Sequence, residues 1–153
     1  MKNFKFLFDT NILVFAQDKK HPFNKIAKKL QSLVQQEKIE GFITPQNLFE
    51  LFATLTSSPS IDKKFEPMDA WEICYEYEKR TNFQLIVPTD FALSFVDDFI
   101  IHTNCRGRRI FDLYLAATGL ASGVSQILTD NEKDFAGLPS IKAINPFKEK
   151  IDL

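Results

Sequence analysis

The length and composition of the chain exclude several classes of protein. It has 153 residues, of which 44% are hydrophobic and 25% are charged, as expected for one domain with one apolar core. No apolar run approaches the ~20 residues of a membrane span, and the N-terminus does not resemble a signal peptide. The net charge of −1 provides no overall attraction for nucleic acid. We therefore expect a single cytoplasmic domain over residues 1–153 with no contact to a membrane.

The apolar pattern predicts strands that alternate with helices along the whole chain. The predicted strands are residues 4–8, 41–44, 84–88, 125–129 and 141–145. The predicted helices are residues 22–38, a segment that begins at Pro45, and residues 68–80, 90–104 and 109–122. Such alternation favours an α/β fold with a parallel central sheet and helices on both faces.

Two helices carry predicted core faces that can be compared directly with a structure. Trp71, Ile73, Cys74 and Tyr77 fall mostly along one side of the helix over residues 68–80. Phe91, Phe95, Val96, Phe99 and Ile100 supply the apolar residues of the next helix. The polar connection over residues 57–67 is the best candidate for a mobile loop. Cys74 and Cys105 lack a CxxC spacing, so we expect two reduced thiols.

Acidic residues follow the predicted strands in several distant parts of the chain. Asp9 ends the apolar run FLFD, and Asp90 follows the third strand. Glu50 lies in the second turn of the helix that begins at Pro45. The segment DNEKD follows the fourth strand and supplies Asp130, Asn131 and Asp134. Because ligands of open α/β sheets bind outside the carboxyl ends of the strands, we expect these acids to meet at one rim.

Asp112 joins this set from the first turn of the helix that begins near Arg109. The positive end of the helix dipole favours an acid there, so a purely structural role for Asp112 is the alternative interpretation. Several carboxylates at one rim repel one another and raise one another's pKa values unless a cation neutralises them. All of these side chains are oxygen donors, and His21 and His102 fall outside the set. The pattern therefore favours Mg²⁺, or Mn²⁺, over zinc.

A metal ion bound by carboxylates typically acts on phosphates. The basic segment RGRR over residues 106–109 lies directly ahead of Asp112 and suits the backbone of a polyanion. Either Arg108 or Arg109 is expected to position such a substrate, and an exposed helix start is the alternative interpretation of this segment.

Four motifs in this order resemble the PIN-domain ribonucleases, and most closely their VapC-type toxin branch. They are FLFDTNIL at the N-terminus, PQNLFELFATL around Glu50, IFDLYLAAT around Asp112, and LTDNEKDF from Leu128 to Phe135. The resemblance runs from Phe6 to about Pro146. It implies a Rossmann-like PIN fold and a Mg²⁺- or Mn²⁺-dependent endoribonuclease.

The resemblance also implies roles for individual residues. Asp9 and Asp112 would be the principal metal ligands, and Glu50 would be the third acid, directly or through water. Thr10 or Asn11 would order the site through hydrogen bonds. Asp130 or Asp134 would be the fourth acid, whereas Asn131 can offer a carbonyl oxygen without charge. The metal would activate a water that attacks RNA and leaves 5′-phosphate and 3′-hydroxyl ends.

Partners are implied by the resemblance alone. They are an RNA substrate, a small antitoxin and a second copy of the chain in a homodimer. The loop over residues 57–67 and the apolar residues of the neighbouring helices are the expected partner surface.

Three other functions remain as alternatives. A haloacid-dehalogenase-like phosphatase would carry a second Asp at position 11, where this chain has Asn. A signalling receiver domain would carry paired acids after its first strand and a Lys after its last. A PIN-like module that binds RNA or protein without cutting it would tolerate loss of the acids, but Asp9, Glu50 and Asp112 are all present.

Overall fold

A computed structural model describes residues 4–151, which form a five-stranded sheet flanked by helices. All neighbouring strands are parallel, and their order across the sheet is β3–β2–β1–β4–β5. The strands are β1 (Lys5–Phe8), β2 (Glu40–Ile43), β3 (Gln84–Leu85), β4 (Gln126–Leu128) and β5 (Lys142–Ile144). The predicted Rossmann-like fold with a parallel central sheet is confirmed.

Six α-helices and one 3₁₀ helix connect the strands. They are α1 (Thr10–Gln17), α2 (Asn24–Gln35), α3 (Pro45–Ser57), α4 (Pro67–Lys79), α5 (Asp90–Thr103), α6 (Arg109–Ala121) and the 3₁₀ helix Glu132–Phe135. Within residues 4–151, no helix combines the length and apolar character that crossing a bilayer requires.

The helices cover both faces of the sheet, and the residues of β1 alternate between the two faces. Phe6 and Phe8 belong to the core beneath α1, α2, α3 and α4. Leu7 belongs to the second core, beneath α5 and α6. This alternation follows from the two-residue period of a strand, and it explains why the three residues after Lys5 in β1 are all apolar. Gly119 lets α6 approach the sheet closely, because a Cβ atom at this position would lie 2.8 Å from Leu7 Cδ2.

Helix α1 and the 3₁₀ helix are absent from the elements predicted from sequence. Ile12, Leu13, Val14 and Ala16 of α1 are all buried, so the helix has no polar stripe to produce an amphipathic period. The third predicted strand is shorter than expected. Only Gln84 and Leu85 belong to β3, which is the edge strand and pairs with β2 alone.

Two of the predicted core faces were wrong at particular residues. In α4 the buried side chains are Ala70, Cys74 and Tyr77, whereas Trp71 is 43% exposed. In α5 the buried side chains are Ala92, Val96 and Phe99. Phe91 and Ile100 precede and follow this stripe, so the 100° rotation per residue turns both towards solvent. The predicted faces of α4 and α5 included every large apolar residue. In the structure, only the residues at helical spacing on the inner side of each helix are buried.

The strand order places a crevice between β1 and β4. The chain winds from β1 through β2 to β3 on one side, whereas β4 and β5 extend the sheet on the other side of β1. Ligands of doubly wound sheets bind where this order reverses, outside the carboxyl ends of the strands. Asp9 follows β1, and Thr129 and Asp130 follow β4, so these residues stand on either side of the crevice.

Candidate functional site

Asp9 lies at the N-terminus of α1 with its side chain turned into the crevice. Its carboxylate caps no helical N–H group; instead the Thr129 hydroxyl donates to Oδ2 at 2.7 Å. The residue is only 8% exposed. Burial, assisted by the carboxylates of Asp112 and Asp130, raises the pKa of Asp9 to about 7, although the Thr129 hydrogen bond opposes the change. Asp9 is therefore a buried acid that is poorly compensated by the protein itself.

Glu50 is held by hydrogen bonds to both of its carboxylate oxygens. The Thr10 hydroxyl donates to Oε2 at 2.7 Å, and Gln46 Nε2 donates to Oε1 at 2.8 Å. Gln46 Nε2 also donates to the Phe111 carbonyl oxygen at 3.0 Å, which ties α3 to the first turn of α6. The orientation of Glu50 is thus fixed from α1 on one side and from α3 on the other.

Asn47 organises the protein beneath Glu50 and is fully buried. Its Nδ2 donates to the Phe8 carbonyl oxygen at 3.1 Å and to Thr10 Oγ1 at 3.0 Å. Its Oδ1 accepts from the Thr44 backbone N–H at 2.8 Å, which completes a capping box at the start of α3. One amide side chain thereby connects the end of β1, the start of α1 and the start of α3.

Asp112 lies in the first turn of α6, as the sequence predicted. Burial raises the pKa of Asp112 to about 6, and the carboxylates of Asp134 and Glu50 add to the effect, whereas Arg109 opposes it. Among residues 4–151, no hydrogen-bond donor reaches its carboxylate. Asp112 therefore interacts with three other acids of the rim, counting Asp9, and in the described chain only the charge of Arg109 opposes their effect on its pKa.

The segment after β4 supplies two further acids, which occupy different environments. Asp130 Oδ1 accepts from Asn11 Nδ2 at 3.0 Å and lies close enough to Asp9 to raise the pKa of that residue. Asp134 Oδ2 accepts from Asn131 Nδ2 at 2.7 Å and raises the pKa of Asp112 instead. The structure thus places Asp130 on the Asp9 side of the rim and Asp134 on the Asp112 side. It gives the two acids different neighbours without choosing between them as the fourth acid.

The two arginines ahead of Asp112 are arranged differently. Arg109 donates from Nε to the Asp134 carbonyl oxygen at 3.2 Å and from Nη2 to the Ala136 carbonyl oxygen at 2.8 Å. Its guanidinium group therefore holds the turn after β4 against α6. Arg108 is exposed and, within residues 4–151, its side chain makes no hydrogen bond, although it lines the same pocket. Of the two, Arg108 is the one free to contact a ligand.

An open pocket of about 370 Å³ lies at this rim. Its walls are formed by Glu50, Arg108, Arg109, Phe111, Asp112 and Asp134. Asp90 begins α5 and is not part of these walls. A larger cavity of about 660 Å³ lies between the end of α1 and the loop over residues 58–66, and it contains none of the rim acids. Its Lys and Asp or Glu side chains balance in number, so it offers no comparable concentration of charge.

Basic side chains offset little of the charge of the rim acids, and Arg109 lowers the pKa of Asp112 without forming an ion pair with it. Among residues 4–151, Asp9, Glu50, Asp112, Asp130 and Asp134 form no salt bridge within 4.0 Å. In the same range, no three Asp, Glu, His or Cys side chains come together as a ready-made set of metal ligands. Hydrogen bonds hold the carboxylates at separate positions around the crevice. The carboxylates held in this way are those of Asp9, Glu50, Asp130 and Asp134.

The donor chemistry of the rim nevertheless fits a hard divalent cation. The acids at the crevice offer carboxylate oxygens, which are the ligands that such a cation prefers, and their mutual repulsion adds to the burial that raises the pKa values of Asp9 and Asp112. The histidines are engaged elsewhere, as predicted. His21 stacks on Phe15, and His102 pairs with Asp98 in the last turn of α5. Cys74 and Cys105 are free thiols.

Solved structures similar to this one share the arrangement of strands and helices. A chain of the VapBC2 complex of Rickettsia felis, solved bound to a promoter DNA fragment, matches with a TM-score of 0.67. The alignment covers 92% of this chain and 98% of that chain at 18% identity. The chain has the VapC-type PIN fold. A chain of the DNA-bound VapBC complex of Salmonella typhimurium matches at a TM-score of 0.66 and 16% identity, with coverages of 92% and 97%.

A third similar structure is VapC20 of Mycobacterium tuberculosis, described as a toxin that cleaves the sarcin–ricin loop. It matches with a TM-score of 0.64 and 12% identity over 89% of this chain and 98% of that chain. No protein-family model and no curated protein sequence matches the chain. The VapC-type fold is therefore recognised through backbone geometry, at identities where sequence comparison finds nothing.

Several residues of the site were not singled out from sequence. Thr129, Gln46 and Asn47 each position an acid of the rim or the helix that carries it. Asn47 carries a local signal, because Thr44 and Asn47 stand three residues apart at the start of a helix marked by Pro45. Thr129 precedes Asp130 within the motif LTDNEKDF. Gln46 also carries a local signal, because it stands four residues before Glu50 on the same helix, but its bond to the Phe111 carbonyl oxygen has none.

Proposed function

We propose that this chain is a Mg²⁺- or Mn²⁺-dependent endoribonuclease that acts as the toxin of a toxin–antitoxin pair in the cytoplasm. One observation carries the proposal: Asp9 and Asp112, from distant parts of a VapC-type fold, lie close enough for their charges to interact, and neither forms a salt bridge within 4.0 Å among residues 4–151. A divalent cation is the economical complement to such a site. The complete activity would reside in a single nuclease domain.

Asp9 and Asp112 would be the principal ligands of the ion. Glu50 would contribute through the carboxylate that Thr10 and Gln46 orient, and Asp130 or Asp134 would complete the set. When bound, the cation would lower the pKa of a water molecule and stabilise charge on the phosphate oxygens. Binding of one ion by several of these carboxylates would require side chains to rotate towards it, because no three of them come together within residues 4–151.

Arg108 would contact the phosphate backbone of the RNA, because its guanidinium group is exposed at the rim pocket and otherwise unengaged in the described chain. Arg109 would act indirectly by holding the turn that carries Asp134. Asn11 and Asn131 present amide groups to Asp130 and Asp134, and either amide can also donate to a phosphate oxygen. In-line attack of water on phosphorus, with the 3′ oxygen leaving, would produce 5′-phosphate and 3′-hydroxyl ends.

The partner proposals rest on the similar structures and on exposed apolar side chains. The VapBC structures from Rickettsia felis and Salmonella typhimurium contain toxins together with their antitoxins. We propose a small antitoxin for this chain, bound beside the loop over residues 58–66, where Met68 and Trp71 are exposed. We also propose that the chain forms a homodimer.

RNA cleavage with Mg²⁺, Mn²⁺ or EDTA, by the wild type and by Asp112→Asn, tests the activity. We expect cleavage only with a divalent cation, and a loss of at least about 100-fold in kcat for Asp112→Asn, as is typical when one group that stabilises transition-state charge is removed. Asp97→Asn is the matched control, since Asp97 is exposed on α5 and lies outside the rim pocket. Cleavage that persists in EDTA, or in Asp112→Asn, would reject the mechanism.

A non-catalytic PIN-like module that binds RNA or protein is the second candidate. The observation that favours it is the lack of a ready-made set of three metal ligands within residues 4–151. Titration calorimetry with Mn²⁺ separates the two candidates. Binding that disappears in Asp9→Asn supports the nuclease, whereas a wild type that binds no Mn²⁺ at millimolar concentration supports the module.

A further inference from the structure

Phe111 is an exposed aromatic side chain in a pocket whose other walls are charged. It is 52% exposed and lines the rim pocket together with two arginines and three acids. Among residues 4–151, its ring pairs with no other aromatic ring. Exposure alone does not mark a site, since Phe91 is more exposed, but Phe111 differs because its ring lies among the charged walls of the rim pocket.

The backbone beneath this ring is held in place before any ligand arrives. The Phe111 carbonyl oxygen accepts a hydrogen bond from Gln46 Nε2 at 3.0 Å, and the same amide orients Glu50. The Phe111 N–H donates to the Arg108 carbonyl oxygen at 3.1 Å in the first turn of α6. The backbone that carries the ring is thus tied to Glu50 and to Arg108. A group that stacks on the ring would therefore be held at a defined position relative to the acids.

The surroundings of the ring indicate what kind of ligand it fits. A protein partner normally requires a contiguous apolar patch, and the walls of this pocket contain no second apolar side chain. A nucleotide combines a planar π face with a phosphate, which matches a ring beside a free guanidinium group. The pocket volume of about 370 Å³ is at the lower end of the range for small-ligand sites, which suits one nucleotide at a time.

We propose that the Phe111 ring is a stacking surface for one unpaired nucleobase of the RNA substrate, next to the phosphate that is cleaved. This inference rests on the proposed nuclease function and adds to it a residue that selects unpaired over paired RNA. A base can offer its face to Phe111 only when it is not stacked within a duplex, so the substrate must be single-stranded at the cleavage site. The contact is tolerant of base identity, since every base has a π face.

Cleavage kinetics on a single-stranded RNA test the contact. Phe111→Ala should raise KM about 5- to 150-fold, the range that corresponds to loss of one base–aromatic stack, with a smaller change in kcat. Phe111→Trp should keep KM near the wild-type value, and Phe111→Leu, which has similar bulk but no π face, should resemble Phe111→Ala. Equal KM values for Phe111→Leu and wild type would overturn the proposal.

Phe91→Ala is the matched control for loss of an exposed phenyl ring. Phe91 is 72% exposed at the start of α5, about 18 Å along that helix from the end that leads into α6. Its removal should leave KM unchanged. If Phe111→Ala behaves like Phe91→Ala on RNA but weakens self-association in analytical ultracentrifugation, the ring belongs to a protein interface and the proposal is overturned.

A fluorescence measurement tests stacking without requiring cleavage. The chain has one tryptophan, Trp71, so Trp71→Phe combined with Phe111→Trp places a single indole at the rim. We expect single-stranded RNA in EDTA to quench this indole, and a duplex or an abasic oligonucleotide of equal length and charge to leave it bright. Equal quenching by all three would show that charge alone attracts the RNA, and would overturn the proposal.

The two experiments distinguish failure of the inference from failure of the proposed function. Metal-dependent cleavage by wild type, with no effect of Phe111→Ala and no selective quenching, rejects the stacking role and leaves the nuclease intact. Selective quenching by a protein that cuts no RNA with either metal rejects the nuclease and leaves the stacking surface.

Discussion

The half of the rim at the starts of α1 and α3 contains the buried residues Asp9, Thr10 and Asn47, whereas the half at the start of α6 exposes Arg108 and Phe111, and Glu50 and Asp112 are half-buried between them. We call these the buried half and the open half. In the buried half, Asp9 accepts a hydrogen bond from Thr129, and Glu50 accepts hydrogen bonds from Thr10 and Gln46. On the side of the open half, Asp112 has no donor within residues 4–151, and Arg108 is exposed. In the buried half, hydrogen bonds hold the carboxylates in place before any ligand binds. In the open half, the Arg108 side chain is accessible to a ligand.

This difference indicates how the proposed cation and the proposed RNA would use separate parts of one crevice. Carboxylates in a buried site attract a cation strongly, because few water molecules compete there. A polyanion, in contrast, is repelled by carboxylates, so it needs an exposed surface beside them from which to bind. Arg108 and Phe111 line the rim pocket and would provide that approach on the open side. Three predictions test the division, and they are ordered by the size of the expected effect.

The largest effect is expected for Asn47→Ala in the buried half. The substitution leaves the Thr44 N–H and the Phe8 carbonyl oxygen buried without partners, and each such group costs about 1–3 kcal/mol. We expect the free energy of unfolding to fall by about 4 kcal/mol in urea denaturation. Asn82→Ala, which removes an exposed amide that donates to the Gln35 carbonyl oxygen, should cost less than about 1 kcal/mol. Similar losses for both variants would contradict the central role of Asn47.

The second effect is a dependence of stability on pH that originates in the buried half. Because the pKa of Asp9 is about 7 in the folded protein and 3.8 ordinarily, the folded state binds more protons between these values. The free energy of unfolding of the metal-free protein therefore falls as pH rises through this window. From pH 5 to pH 8 we expect Asp9 to account for a decrease of about 2–3 kcal/mol, measured by urea denaturation in EDTA.

Asp9→Asn should remove most of this decrease, because the amide carries no charge at either pH and can still accept from the Thr129 hydroxyl. Asp112, which is less buried, should supply a smaller decrease of the same sign. Mg²⁺ should stabilise the wild type more at pH 8 than at pH 5. Asp97→Asn is the control and should retain the wild-type dependence. A stability that rises from pH 5 to pH 8 without metal would contradict the raised pKa of Asp9.

The smallest effect separates the two arginines of the open half. Arg108→Gln should weaken RNA binding and lower the salt slope of log K by about 0.7, the change for one phosphate contact on a single strand. Arg109→Gln should instead lower the free energy of unfolding by about 1–2 kcal/mol, since it loses its hydrogen bonds to the carbonyl oxygens of Asp134 and Ala136. Fluorescence anisotropy at several salt concentrations and urea denaturation measure the two quantities. A stability loss confined to Arg108→Gln would reverse the assignment.

Much of the fold was predictable because it depends on local patterns. Several elements are marked by residues within their own segment. Examples are the aromatic run of β1, the helix boundaries at Pro45 and Gly123, and the amphipathic stripe of α2. The missed helix α1 shows the limit of this approach. An element that is buried on nearly every side loses the periodicity by which helices are recognised, and only its packing identifies it.

The sequence by itself determined the order of the strands and helices and the acids that follow them, because side-chain type and spacing act over a few residues. Only the tertiary structure decided which acids are partnered, since Thr10 and Glu50 are 40 residues apart and Asp9 and Thr129 are 120 apart. It also decided that Arg109 supports a turn while Arg108 stays free. Such pairings depend on how distant segments are packed together, and no pattern within one segment records them.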